Sequence, residues 1–346
     1  LPVECTDYYD YTLVPWNWLS NVSDITKNQP IIQRWNMSDA WLSDYLGITP
    51  NETFEIKDNT PYQFRFVDAD PFDMPSSRFD EVISMSLLER LPHRLIQVGT
   101  LFGSSRVRLR RARNIAYRTV VREGMTFNNG MLLDLAESIK AKLGGEYVAI
   151  HVRLGDGGFE RKAKKNVRLI WWRLVREVLG VEENVGLDVE RRVTNFSYSS
   201  PPNITVDQAT LRASHPALPS LPSTILPKLP CRRPWHDNPQ LTALNVPLFI
   251  STDVSDPESH PLLQRFFAAF PCTFILSDFV DEVTALGRPK SGYDGLMLKG
   301  FILPFLDAVV AGKAYQVVGT DGSTFSQFVQ DVLWRRYRGL EIVQRG

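Results

Sequence analysis

The 346 residues hold 39 Lys+Arg against 39 Asp+Glu, so the net charge is zero, and 43% are apolar. That composition can bury a core and excludes wholesale disorder, while the length fits about two domains. Balanced charge gives no global attraction to nucleic acid or an acidic membrane, and no run of 18 apolar residues offers a membrane span.

Residues 1–80 are rich in aromatics and turn formers without a clear period. Tyr62–Val67 alternates apolar and polar residues and predicts a strand, followed by Asp68-Ala69-Asp70. Residues 79–91 and 106–122 read as helices. The second holds seven arginines, at 106, 108, 110, 111, 113, 118 and 122. They share no single face, which predicts a solvated helix rather than a nucleic-acid stripe. A helix over Asn129–Leu143 should stop at Gly144-Gly145. Tyr147–Ile150 then reads as a buried strand and Val167–Leu179 as a helix.

Eight prolines between Pro201 and Pro234 mark residues 195–240 as a loop or disordered insert. Beyond it an α/β rhythm returns. Strands are expected at Pro247–Ser251, Thr273–Leu276 and Ala314–Val318, and helices at Pro261–Phe270, Leu296–Ala311 and Ser323–Tyr337. The helix over Leu296–Ala311 is strongly apolar, so it should be buried between layers. Strands alternating with helices over some two hundred residues predict an α/β fold with a doubly wound parallel sheet.

Three strand ends hold residues fit for chemistry. In Tyr147–Phe159, an apolar strand runs into a Gly-rich turn that contains Gly155, Asp156, Gly157 and Gly158. Ligands of open α/β sheets bind at the carboxyl ends of strands. His151 and Arg153 are two apart and so point to one face. Arginine can grip a phosphate through two hydrogen bonds, and glycines allow close backbone approach. The plain alternative is an Arg–Asp salt bridge at a strand end with a satisfied histidine beside it. At the second, Val317–Ser326, a strand meets a helix start, with Ser323 or Thr324 as the N-cap. The free N–H groups and two hydroxyls there would suit an anion; the alternative is ordinary capping. The third is Ile250-Ser251-Thr252-Asp253, where Asp253 alone reads more readily as a helix cap or turn residue than as a functional one. Asp307, inside the apolar helix, needs a partner, either a ligand N–H or a protein arginine. Together these features describe a diphosphate pocket. There is no Walker lysine motif, and five His with three scattered Cys argue against a zinc site.

Five Asn-x-Ser/Thr triplets, at Asn21, Asn36, Asn51, Asn195 and Asn203, favour a glycosylated lumenal or secreted protein over chance. A Cys231–Cys272 bridge would suit an oxidising compartment; three buried thiols are the alternative.

The segments HVRLGD, ISTD and FLDAVVAGKAYQVVGTDGSTFS, in that order, resemble the protein O-fucosyltransferase family and its fungal relatives. They are more distantly similar to α1,6-fucosyltransferases. The resemblance spans roughly residues 80–190 and 240–340. It implies a GT-B glycosyltransferase of two Rossmann-like domains that binds GDP-fucose as donor and needs no metal or other cofactor. The domains would be 1–144, on the acceptor side, and 145–346, which binds the nucleotide sugar and contains the insert 195–240. The final helix is expected to pack back on the first domain.

Carried over by position, Arg153 would hold the β-phosphate and stabilise the leaving GDP. His151 and Asp307 would contact the nucleoside, with Asp307 facing guanine. Ser323, Thr324 and Phe325 would line the diphosphate, with Asp156 and Asp253 orienting from behind. The implied reaction is inverting transfer of fucose to a hydroxyl of a glycoprotein or glycan, in the endoplasmic reticulum or Golgi lumen. The family's Gly/Asn-rich loop of the first domain has no counterpart here, and no residue is assigned as general base. The chain opens at Leu1-Pro2, where the family is already past that loop, so an upstream signal or membrane anchor is expected. Two other readings stand beside this one. One is a lumenal protein of the same fold that binds but does not catalyse. The other is a metal-dependent GT-A transferase using Asp68-Ala69-Asp70 with Mn²⁺.

Overall fold

The computed structural model describes residues 12, 14–27, 29–31, 39–57, 63–69, 79–98, 106–155, 157–194, 196, 198–222, 224–292 and 294–345. The chain is mixed α/β, with parallel sheets and many helices. It divides into two compact units, one formed by Val22–Gly124 with Gln344–Gly346, the other by Leu1–Asn21 with Met125–Val343. The division falls at 124 rather than at the expected 144. The helix Gly130–Lys142 packs on Lys299–Gly312 and shares its apolar core, which places it in the larger unit.

In the smaller unit, β1 (Thr53–Ile56) and β4 (Leu95–Val98) form a parallel pair. A second parallel sheet has the order β3 (Glu81–Ser84), β2 (Phe64–Val67), β5 (Val107–Arg108). The helix expected over 79–91 is therefore a strand followed by the single turn Met85–Leu88. β-Branched Val82 and Ile83 suit a strand, and pairing of Phe64–Val67 with Glu81–Ser84 decides the outcome. The helix expected over 106–122 starts only at Ala112 and runs to Gly124. The preceding Val107–Arg108 is drawn into the sheet beside β2. Nor is the arginine run fully solvated. Arg106 is buried, and burial lowers the affinity of the Arg118 guanidinium for its proton, against the opposing pull of Asp68.

The larger unit is built on β6 (Val148–Val152), β7 (Leu248–Thr252), β8 (Thr273–Ile275) and β9 (Gln316–Gly319), all parallel, in the order β8-β7-β6-β9. The chain steps outward from β6 to β8 and returns to the far side of β6 as β9. That reversal is the switch point at which open sheets present their ligand crevice. Strand parity sorts the side chains into two layers. Val148, Ile150, Val152, Leu248, Ile250 and Val318 face a core shared with Val167, Trp171, Trp172, Val185 and Phe266. Tyr147, Ala149, Phe249, Phe274 and Val317 face the opposite core, filled by Leu132, Ile139, Ile302, Leu306, Val310 and Leu333. The sheet thus has helices on both faces, as an all-parallel sheet requires. Strand β6 is buried along its whole length.

The helix Gly157–Trp172 begins earlier than the sequence predicts and continues as wider π-type turns through Val178. Asn129 caps Gly130–Lys142 by accepting from Leu132 N at 3.2 Å. The last helix runs from Thr324 through π-type turns to Tyr337. Its Tyr337 hydroxyl donates to Phe127 O at 2.7 Å, a residue that belongs to the same unit.

The described residues of the Pro-rich segment form the loop that its composition allows, irregular chain with one short helix at Gln208–Arg212. Ile225 and Ala213 are buried. Lys228 N donates to Lys142 O at 2.7 Å, and Arg335 donates to Ala213 O. Cys231 is bridged to Cys272, Cα to Cα 4.3 Å; Cys5 lies outside the described residues. Among the described residues no helix is long and apolar enough to cross a membrane.

Candidate functional site

A cavity of about 430 Å³ opens at the carboxyl ends of β6, β7 and β8. Its walls include His151, Arg153, Asp253, Asp307 and Phe325, drawn from four separate stretches of chain. Parity explains the convergence. His151 and Arg153 continue the odd-numbered face of β6, and Ser251 and Asp253 the odd-numbered face of β7. Both look toward the layer that contains the helix Lys299–Gly312, where Asp307 resides.

Asp253 organises the turn after β6. Its carboxylate accepts from Leu154 N at 2.8 Å and Gly155 N at 2.9 Å, and meets Arg153 Nε at 3.2 Å. Gly155 is needed for this contact, since a Cβ there would lie 2.8 Å from Asp253 Oδ2. The close approach expected toward a ligand is thus made to a side chain. Gly157 and Gly158 open the following helix with no side-chain neighbour within 4 Å of a built Cβ. Asp156 lies outside the described residues. Arg153 is 35% exposed at the side chain, so its guanidinium reaches the cavity while Asp253 holds it from below.

His151 is almost fully buried, and its ring lies 4.9 Å from that of Phe325. Burial pushes the imidazole down to about 4, against the raising pull of the Asp253 carboxylate, so it is neutral at physiological pH. His151 Nδ1 meets Ser326 Oγ at 2.6 Å, and that oxygen also accepts from Thr320 N at 3.1 Å. With Ser326 already accepting there, its own proton is best directed at Nδ1, which puts the ring proton on Nε2. Thr320 completes the knot. Its hydroxyl donates to His151 O at 3.2 Å and accepts from Arg153 N at 2.9 Å.

Asp307 receives a hydrogen bond from Ser251 Oγ. Burial pushes its carboxyl up to about 7, and the Ser251 bond pulls it only partly back. A carboxylate at the wall of a cavity, surrounded by packed protein, favours a ligand that brings N–H donors to it.

Ser323 and Thr324 fall outside the walls. Ser323 is buried and caps the last helix by accepting from Ser326 N at 3.3 Å, while Thr324 is exposed. The turn before them is pinned from outside, because Arg173 forks onto Asp321, with Nη2–Oδ2 at 3.0 Å. Thr320, Ser326 and Ser251 are the residues that reasoning from sequence passed over. For Ser251 a signal existed: it stands two residues before Asp253 and shares its face.

Asp68 proves structural. It is buried and accepts from Arg110 N at 2.6 Å, Arg111 N at 3.0 Å and Asn114 Nδ2 at 2.9 Å, capping the helix that follows. Burial alone would raise its carboxyl, yet these bonds outweigh it and hold it below the ordinary value. Asp70 lies outside the described residues. Among the described residues no three His, Cys, Asp or Glu side chains are grouped to hold a metal ion.

Compared with known proteins, the chain matches no protein-family model and no curated protein.

Proposed function

We propose that this chain is a glycosyltransferase of the GT-B class that moves fucose from GDP-fucose to an acceptor hydroxyl on a glycoprotein or glycan, inverting at the sugar carbon. One observation carries the reading. A single cavity at the carboxyl ends of a parallel sheet joins a guanidinium, a carboxylate that favours N–H donors, and an aromatic ring. In the reaction the bond from C1 of the sugar to the β-phosphate oxygen breaks, the acceptor oxygen bonds C1 from the opposite face, and the acceptor's proton passes to water. Negative charge grows on the departing phosphate, where Arg153 meets it, oriented by Asp253. Charge that grows in the transition state is stabilised more than charge already present, so this arrangement raises the rate rather than only the affinity. Asp307 receives the donors of the base, and neutral His151 offers Nε2–H to the nucleoside. The same residues would serve a lumenal binding protein. That second reading draws on Asp253, whose carboxylate is committed to two backbone N–H groups and Arg153 and so is not poised as a base.

The test is calorimetric titration of the chain with GDP and ADP, followed by product analysis after incubation with GDP-fucose, with and without EDTA. Binding of GDP well above ADP, and transfer that survives EDTA, are expected. Absence of GDP binding removes both readings, while binding without transfer to a panel of glycoprotein and glycan acceptors leaves the binding protein.

A further inference from the structure

The Pro-rich segment opens with Pro201-Pro202-Asn203-Ile204-Thr205, and the cavity takes no part of it. Asn203 and Thr205 are exposed, in irregular chain outside any helix or strand. Arg173 Nη2 donates to Thr205 O at 3.3 Å and so anchors the triplet at its end. Asn203 also forms part of the wall of a second groove, of about 450 Å³. Pro201, Pro202 and Ile204 contribute only a small apolar part of its exposed lining, which is mainly polar. Arg176 and Glu183, an ion pair at 3.0 Å, give it a polar side together with Glu177. Sugar rings fit such a surface. Their hydroxyls would meet the carboxylates and the guanidinium, and the small apolar edge would take a C–H group. The groove falls within the roughly 300–1,000 Å³ of small-molecule sites. The Cys231–Cys272 bridge belongs to an oxidising compartment, where such asparagines are modified.

We infer that Asn203 carries an N-linked glycan whose first sugar lies in the groove lined by Pro201, Pro202, Ile204 and the Arg176–Glu183 pair. Asn203 Nδ2 forms the bond to C1 of the first N-acetylglucosamine of a lipid-diphosphate-linked oligosaccharide. The lipid diphosphate leaves, and Nδ2 loses one proton. The glycan would fix the opening of the Pro-rich segment against Arg173–Val178. This does not rest on donor binding in the main cavity.

The full chain is produced through the secretory pathway of eukaryotic cells, released from glycans by amidase in ¹⁸O water, and mapped by peptide mass spectrometry. Asn203 is expected to be converted to ¹⁸O-labelled aspartate. Asn203→Gln and Thr205→Ala should each remove the mass of one glycan, whereas Thr205→Ser should retain it. From the folded protein, amidase should release the Asn203 glycan several-fold more slowly than from a folded Arg176→Ala, Glu183→Ala variant, and at the same rate from both after denaturation. An unmodified Asn203 in secreted folded chain overturns the proposal, whatever the state of Asn21 and Asn51. Equal release rates from folded protein overturn the seating in the groove.

Discussion

Replacing Asp307 with Asn keeps the size of the side chain and a partner for Ser251 while removing the charge. Burial pushes the Asp307 carboxyl up to about 7, against 3.8 for the free group. In the unfolded chain it titrates at the ordinary value, so below about pH 4 both states hold the proton and the group is neutral toward folding. As the pH rises from about 4 to 7, the unfolded state ionises first and is favoured. Above about pH 7 the whole difference acts against the native state; some three pH units at about 1.36 kcal/mol each give roughly 4 kcal/mol. Asn escapes that cost. Denaturant unfolding should therefore find Asp307→Asn more stable than the parent by several kcal/mol near pH 8, with the gap closing toward about pH 4.

Ligand binding should move the other way. A guanine that donates to an ionised Asp307 binds about tenfold more weakly near pH 6 than near pH 8, because only about a tenth of the carboxyl is then charged. Asp307→Asn, which controls for titration of GDP itself, should lack that extra pH dependence. It should also bind GDP about 10²-fold more weakly, since its amide turns a donor toward the base's own donors. Parallel stability curves for the two proteins from acid to neutral pH would refute the linkage argument. Unchanged GDP affinity would remove Asp307 from the site.

On the proposed function, Arg153→Ala should lower the rate of fucose transfer by about 10²–10³-fold, and near-normal turnover would overturn its proposed role at the leaving group. Gly155→Ala places a Cβ 2.8 Å from Asp253 Oδ2 and so drives the carboxylate off two N–H groups. It should cost about 0.5–1.5 kcal/mol in urea unfolding, since water reaches the freed Gly155 N–H, and a neutral effect would mean that the turn after β6 is loose. Cys231→Ser with Cys272→Ser opens a link across a sequence separation of 41, which by loop entropy costs about 4 kcal/mol. A melting temperature equal to that of the oxidised parent would show that the bridge adds nothing.

The strand rhythm from Tyr147 to Val318 was legible because these strands are short apolar runs, whereas the helices Glu183–Thr194 and Val280–Ala285 were not read. The pairing of His151 with Arg153 was legible for the same local reason, since parity along a strand needs no partner to define it. The strand at Glu81–Ser84 was not legible. Four residues with two β-branched side chains do not outweigh a helical neighbourhood until β2 offers them a ladder. The Pro-rich segment was read by composition alone, while its order comes from distant groups, namely Lys142, Arg335 and Cys272.

The division is sharpest within the candidate site. Sequence fixes which residues stand at strand ends and which side of the sheet they face, because backbone geometry alone sets both. Only the fold decides what each then does. Ser323 lies beside Thr324 in the chain yet is spent on a cap, and Gly155 serves Asp253, about a hundred residues away. Asp307 and Ser251, 56 residues apart, meet because a returning helix crosses the odd face of β7. Contacts of that kind depend on packing between layers, and packing is a property of the whole chain rather than of any window along it.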